Sequence, residues 1–259
     1  MNMIKILFMI HDLSVGGAEK VLVNLVNNMD KEKFDITVLS IFGGGVNEQF
    51  LKPHIKYRSI FKKIFPGNSK VMKLFSPKLL HKFFIHETYD IEVSYLEGPS
   101  ARIVSGCSNE STKLVSWIHV EQHSKKITSS SFRSYSESAK CYNKFNKIVC
   151  VSEFVQKDFL SLYPEINDVH VLYNTNETKQ ILNLKDEPVE DNVFNDGEIR
   201  LCGVGKIVRT KGFDKLARIH CRLRKEGYPV HTYILGVGDD RENIINYLKT
   251  KHENDSFSF

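Results

Sequence analysis

The first thirty residues already narrow what this chain can fold into. Ile4 to Ile10 is an apolar, β-branched run, and Leu13-Ser14-Val15-Gly16-Gly17 is a glycine turn. Ala18, Val21, Leu22, Leu25, Val26 and Met29 then recur at helical spacing. A strand that passes through a glycine turn into an amphipathic helix opens a βαβ unit, which requires a second parallel strand beside the first. Further apolar runs follow at Ile36 to Phe42, Ile91 to Leu96, Leu114 to Ile118, Ile148 to Val151 and Val169 to Tyr173, with helical stretches between them. This alternation predicts an α/β fold with a parallel, doubly wound sheet. Ser152 directly follows one such strand and is placed to cap a helix from about Glu153 to just before Pro164.

The pattern stops and then restarts. From Leu184 to Glu198 the chain turns polar and acidic, with Asp186, Glu187, Glu190, Asp191 and Asp196, and reads as a linker. Beyond it come a strand at Ile199 to Gly205, a helix from about Phe213 to Glu226, a strand at Val230 to Leu235 and a helix from about Arg241 to Lys251. The expected organisation is therefore a first domain over 1–183, a linker over 184–198 and a second domain over 199–259. A third apolar stretch, Ser256-Phe-Ser-Phe259, only begins, and so few βα units cannot cover both faces of a sheet, so the second domain is expected to be incomplete.

Two strand-to-helix turns carry chemistry. At Gly16-Gly17-Ala18-Glu19 the missing side chains let backbone amides approach a ligand at a helix N-terminus, where partial positive charge suits phosphate. At Gly203-Val-Gly205-Lys206-Ile-Val-Arg-Thr-Lys211-Gly212-Phe213 two lysines flank a short loop and can converge on a diphosphate. A solvated basic loop and a ligand-free tight turn are the plain alternatives.

The second segment resembles the Gly-Arg-x5-Lys-Gly phosphate loop of family 4 glycosyltransferases. The pieces around it resemble that family in order: Gly16 to Glu19; Ser116-Trp-Ile-His119; Val151-Ser-Glu-Phe154; Tyr173-Asn174-Thr-Asn176; and Tyr233-Ile-Leu-Gly236-Val-Gly238. The resemblance implies a GT-B architecture of two Rossmann-like doubly wound domains, the second incomplete here. It also implies retaining transfer of a hexose-type sugar from a nucleotide-diphosphate sugar, a substrate rather than a cofactor. By the same resemblance His119, Lys206 and Lys211 are the catalytic candidates. Gly16, Gly17, Gly205, Lys206, Lys211, Gly236 and Gly238 would contact the donor, with Gly16 and Gly17 near its phosphates and the acceptor. Lys206 stands where the family usually has arginine, which keeps the charge but loses the bidentate fork. The family's pair of donor-binding glutamates would fall beyond Phe259.

His119 also stands out by position, because it follows Leu114 to Ile118 at the carboxyl end of a strand, where open α/β sheets bind ligands. Glu97, at an equivalent strand end, is an acceptor-hydroxyl candidate or a turn-stabilising carboxylate. No acidic residue occurs between Glu48 and Glu87, where lysines alternate with Ile60, Phe61, Ile64, Phe65, Leu74, Phe75, Phe83 and Phe84. Residues 52–86 therefore suit an anionic membrane surface, or form two helices whose apolar residues face the core. No module for nucleic acid and no metal-binding spacing is visible. Five scattered cysteines, two of them in strand-like runs, read as reduced, buried thiols of a cytoplasmic protein, peripheral at most.

The resulting expectation is a glycosyltransferase of surface glycan synthesis, capsule or exopolysaccharide, acting on a lipid-linked or polysaccharide acceptor. The alternative is a truncated fragment that binds or scaffolds without turnover. A pyridine-nucleotide oxidoreductase fits poorly: Gly236-Val-Gly238 lacks a third glycine and Gly16-Gly17 lacks the G-x-G start.

Overall fold

The computed structural model describes residues 3–188 and 197–259. It divides into two compact units, Met1–Lys185 and Asp186–Phe259. Most of the acidic stretch expected as a linker, including Glu190, Asp191 and Asp196, lies outside the described residues.

The first unit holds seven strands: β1 (Ile4–Ile10), β2 (Phe34–Phe42), β3 (Lys56–Phe61), β4 (Ile91–Ser94), β5 (Lys113–Ile118), β6 (Lys147–Cys150) and β7 (Val169–Val171). They form one sheet in the order β3-β2-β1-β4-β5-β6-β7, every pairing parallel. The direction of winding reverses between β1 and β4, so the loops that leave these two strands diverge and open a crevice at their carboxyl ends. Seven helices lie between them, α1 (Gly17–Asn28), α2 (Asn68–Leu74), α3 (Pro77–Phe84), α4 (Pro99–Val104), α5 (Lys125–Thr128), α6 (Tyr135–Tyr142) and α7 (Glu153–Leu162), and α8 (Thr178–Leu184) follows β7. Two apolar clusters lie in this unit. One sets Leu22, Val23 and Val26 of α1 against Ile6, Phe8, Ile36 and Val38. The other packs α3, α4, α6 and α7 around Leu7, Met9, Ile118 and Ile148. Strands buried on both sides explain why these runs are continuously apolar rather than alternating.

Serine caps fix where several helices begin. The Ser152 hydroxyl accepts from the Val155 N–H at 3.2 Å, and Ser76, Ser124 and Ser134 do the same for α3, α5 and α6. Each such cap is worth about 1 kcal/mol.

The basic segment differs from a simple pair of helices. Its first part is the edge strand β3, where side chains are only half covered and the apolar signal is diluted by Lys56, Arg58 and Ser59. Its helices then split their apolar residues. Met72, Leu80 and Ile85 are buried, and Phe61, Phe65 and Phe84 pack onto the core, whereas Ile64, Val71, Leu74, Phe75 and Phe83 are exposed. Two guanidiniums hold the end of α2 in place. Arg102 is buried, pairs through Nε and Nη2 with both Glu137 oxygens at 3.1 Å, and donates to the Met72 and Phe75 carbonyls; Arg133 donates to those of Lys73 and Leu74.

The second unit has three parallel strands, β8 (Ile199–Val204), β9 (Val230–Leu235) and β10 (Phe257–Ser258), in the order β10-β9-β8. Its helices α9 (Phe213–Lys225) and α10 (Arg241–Thr250) bury Phe213, Ala217, Ile244 and Leu248 against Ile207, Ile234 and Phe257 in a single cluster. Cys202 and Val204, which alternate with Leu201 and Gly203 along β8, are exposed. This corrects the expectation of five buried thiols. All five are free, but only Cys141 and Cys150 are buried, because Cys202 points to the face of β8 that this cluster does not cover. Among the described residues no helix is long and apolar enough to cross a membrane.

Candidate functional site

In the first unit the candidate residues stand at the carboxyl ends of three adjacent strands. Gly16 and Gly17 follow β1, Glu97 follows β4, and His119 directly follows β5. The two glycines act differently. Gly16 has extended backbone that any residue could adopt, yet a Cβ there would lie 2.0 Å from Glu19 Oε2. The Glu19 carboxylate folds back over Gly16 at the helix N-terminus, and burial pushes its pKa up. Around Gly17 nothing comes within 4 Å of a built Cβ. Gly16 brings no capping side chain to α1, and the space around Gly17 lets a ligand approach the first amides beside the Glu19 carboxylate. Beside them, burial works against the Asp12 charge, but hydrogen bonds from Ser14 and His11 outweigh it and hold the carboxyl below its usual range.

Glu97 and His119 form a unit. The His119 backbone N–H donates to Glu97 Oε2 at 3.0 Å, and the imidazole packs on Tyr95 with ring centroids 4.9 Å apart. Burial pushes the Glu97 carboxyl up and, more strongly, drops His119 to about 4, so the ring is neutral at physiological pH. His119 Nε2 is buried with no hydrogen-bond partner among the described residues. The other ring nitrogen donates to the Tyr95 backbone, so in the neutral ring the free Nε2 is an acceptor suited to a substrate hydroxyl. His123 has positive φ, and its loop is anchored by Asp158, which accepts from the Gln122 and His123 amides.

Sequence reasoning missed the loop after β2. Gly45 lies so close to Leu13 that a Cβ would be 2.2 Å from its carbonyl carbon. Asn47 bonds both Leu13 and Ser14 carbonyls, and Glu48 ties the Gly45 amide to the Tyr57 hydroxyl. This bracing fixes the path of the glycine turn. The run Gly43-Gly44-Gly45 was the available signal, since three glycines after a strand imply close backbone approach.

In the second unit the phosphate-loop candidates follow β8. Lys206 is exposed, and Lys211 ends a 3-10 turn, Arg209–Lys211, just before Gly212 starts α9. Gly212 has φ 74°, a left-handed conformation that favours glycine, and as the N-cap residue it offers α9 no capping side chain. Among the described residues neither lysine has a carboxylate within salt-bridge distance, which leaves both ammonium groups available to an anion. Gly236 and Gly238 have a packing role: a Cβ would sit 1.9 Å from the Gly205 oxygen and 2.1 Å from the Ile207 oxygen. The two loops thus run backbone to backbone, joined by Gly205 N–H to Leu235 and Ile207 N–H to Val237 bonds. Behind the loop a cavity of about 230 Å³ is lined by Arg209, Asp214, Arg218, Asp240 and Tyr247.

Several solved structures share this fold. HepE of Anabaena, in complex with UDP and glucose, superposes with a TM-score of 0.67 at 15% identity over 99% of this chain and 68% of that one. TarM of S. aureus, solved with UDP among its ligands, gives 0.68 at 12% over 99% and 78%. The lipopolysaccharide outer core galactosyltransferase WaaB in its apo form gives 0.61 at 18% over 99% and 68%. No curated protein matches the sequence. The fold is GT-B, built of Rossmann-like α/β units. The family model for Glycosyltransferase Family 4 matches residues 15–179, and the chain belongs to that family.

Proposed function

We propose that this protein takes part in retaining transfer of a hexose-type sugar from a nucleotide-diphosphate sugar to a lipid-linked or polysaccharide acceptor in surface glycan synthesis. The observation that carries this is the pairing of two carboxylate-free lysines with an uncapped helix N-terminus after β8. A departing nucleoside diphosphate needs fixed positive charge, and Lys206, Lys211 and the α9 amides supply it. His119, neutral and with a free ring nitrogen, is suited to the donor sugar, and Glu97 to an acceptor hydroxyl. UDP in the HepE and TarM complexes makes a UDP-sugar the first donor to try.

The acceptor side points to a membrane surface. Ile64, Val71, Leu74, Phe75 and Phe83 are exposed among Lys62, Lys63, Lys70, Lys78 and Lys82, and the Arg102 and Arg133 bonds hold Leu74 and Phe75 outward. Apolar side chains ringed by ammonium groups suit anionic lipid. Sedimentation with anionic but not with zwitterionic vesicles is the expected result there.

Isothermal titration with a panel of sugar nucleotides tests the donor. One of them should bind, and Lys211→Ala should weaken it about 10- to 100-fold, as expected for loss of a charge-assisted bond to phosphate. Undiminished affinity removes Lys211 from the site. If no sugar nucleotide binds, a binding or scaffold role replaces transfer.

A further inference from the structure

Three side chains of different chemistry meet at the amino end of the first sheet. Glu92 is the second residue of β4 and only 2% of its side chain is exposed; His81, from α3, places Nε2 2.8 Å from its Oε2. Cys107, just after α4, completes the group: one nitrogen, one carboxylate oxygen and one sulfur all lie within 4.8 Å of one another. They edge an open groove of about 460 Å³ that also includes His86, Asn109 and Thr112. Glu92 sits near the start of β4, whereas Glu97 lies in the turn beyond its carboxyl end. The group is therefore remote from the strand ends that carry the transfer candidates.

The donor set selects the ion. Magnesium and calcium take oxygen ligands, whereas mixed imidazole, thiolate and carboxylate ligands suit zinc. Tetrahedral zinc, with bonds of about 2.1 Å to nitrogen and oxygen and 2.3 Å to sulfur, spaces its ligands about 3.5 Å apart. The His81–Glu92 contact must open by under ~1 Å and the sulfur close by at most about 1.3 Å, within reach of side-chain rotation. The groove leaves room for a water as fourth ligand.

We propose that His81, Glu92 and Cys107 bind a zinc ion that fastens α3 to the start of β4. On binding, a zinc–sulfur bond replaces a zinc–water bond and the thiol proton passes to solvent.

Cobalt(II), titrated into the full metal-stripped chain, reads the site directly. The expected result is one equivalent bound at micromolar or lower Kd, with a thiolate-to-cobalt charge-transfer band that zinc abolishes. Excess zinc should raise the unfolding midpoint by about 5 °C. Cys107→Ser should remove the band and weaken binding about 100-fold, while Cys202→Ser, at an exposed thiol in the second unit, should leave both unchanged. A wild-type chain with no band overturns the proposal however the variants fold, and so does a Cys107→Ser chain that keeps the band.

Discussion

The His119 backbone N–H donates a 3.0 Å hydrogen bond to Glu97 Oε2, so a single carboxylate ties together the carboxyl ends of β4 and β5. Glu97→Ala would leave that amide unpaired and should cost about 1–2 kcal/mol in urea denaturation. Glu97→Gln keeps a carbonyl acceptor and should recover most of the loss. A glutamine variant as unstable as the alanine would show that the bond is not what Glu97 contributes.

His119 makes stability depend on pH. Its folded pKa of about 4 lies below the unfolded value of 6.5, so the unfolded chain binds the extra proton between those values and stability falls as pH drops through that window. At pH 5 the loss should approach about 2 kcal/mol relative to pH 7, an upper figure for a partly solvated ring. Glu97 is raised and acts in the opposite sense, its contribution weakening as pH rises above the normal carboxylate range. In His119→Gln the difference between pH 7 and pH 5 should shrink; a profile that matches wild type would contradict the burial assigned to this ring.

The adjacent glycines of the first turn should separate folding from function. Gly16→Ala makes the flexible Glu19 carboxylate swing away from the helix N-terminus and should cost at most about 1 kcal/mol, the worth of a carboxylate beside a helix N-terminus. Gly17→Ala meets nothing within 4 Å and should leave the unfolding midpoint unchanged or slightly higher, while lowering kcat/KM for sugar transfer. Paired calorimetry and turnover on the two variants provide the check.

Gly236→Ala should disrupt the second unit. The clash at 1.9 Å is with the backbone oxygen of Gly205, which cannot rotate away, so a loss of about 2 kcal/mol or more is expected. Hydrogen exchange at the Gly205 and Ile207 amides should rise in parallel. Protection equal to wild type would show that the two loops do not depend on each other.

What the sequence determined on its own was the repeated strand–turn–helix order. Strand Ile4–Ile10 and strand Val230–Leu235 have the expected limits, and Ser152 caps the helix that begins at Glu153. These features are set by neighbours a few residues away, through hydrophobic period and capping chemistry, so local order is enough to read them. Tertiary structure decided the rest. The edge strand Lys56–Phe61 is defined by its partner β2 rather than by its own pattern. The reason Gly45 and Gly236 lack side chains is supplied by the Leu13 and Gly205 carbonyls respectively. The depressed His119, the exposed Cys202 and the meeting of residues 81, 92 and 107 all depend on which distant segments pack together and which face stays open. Burial and steric contact are sums over the whole fold, and no window of sequence contains them.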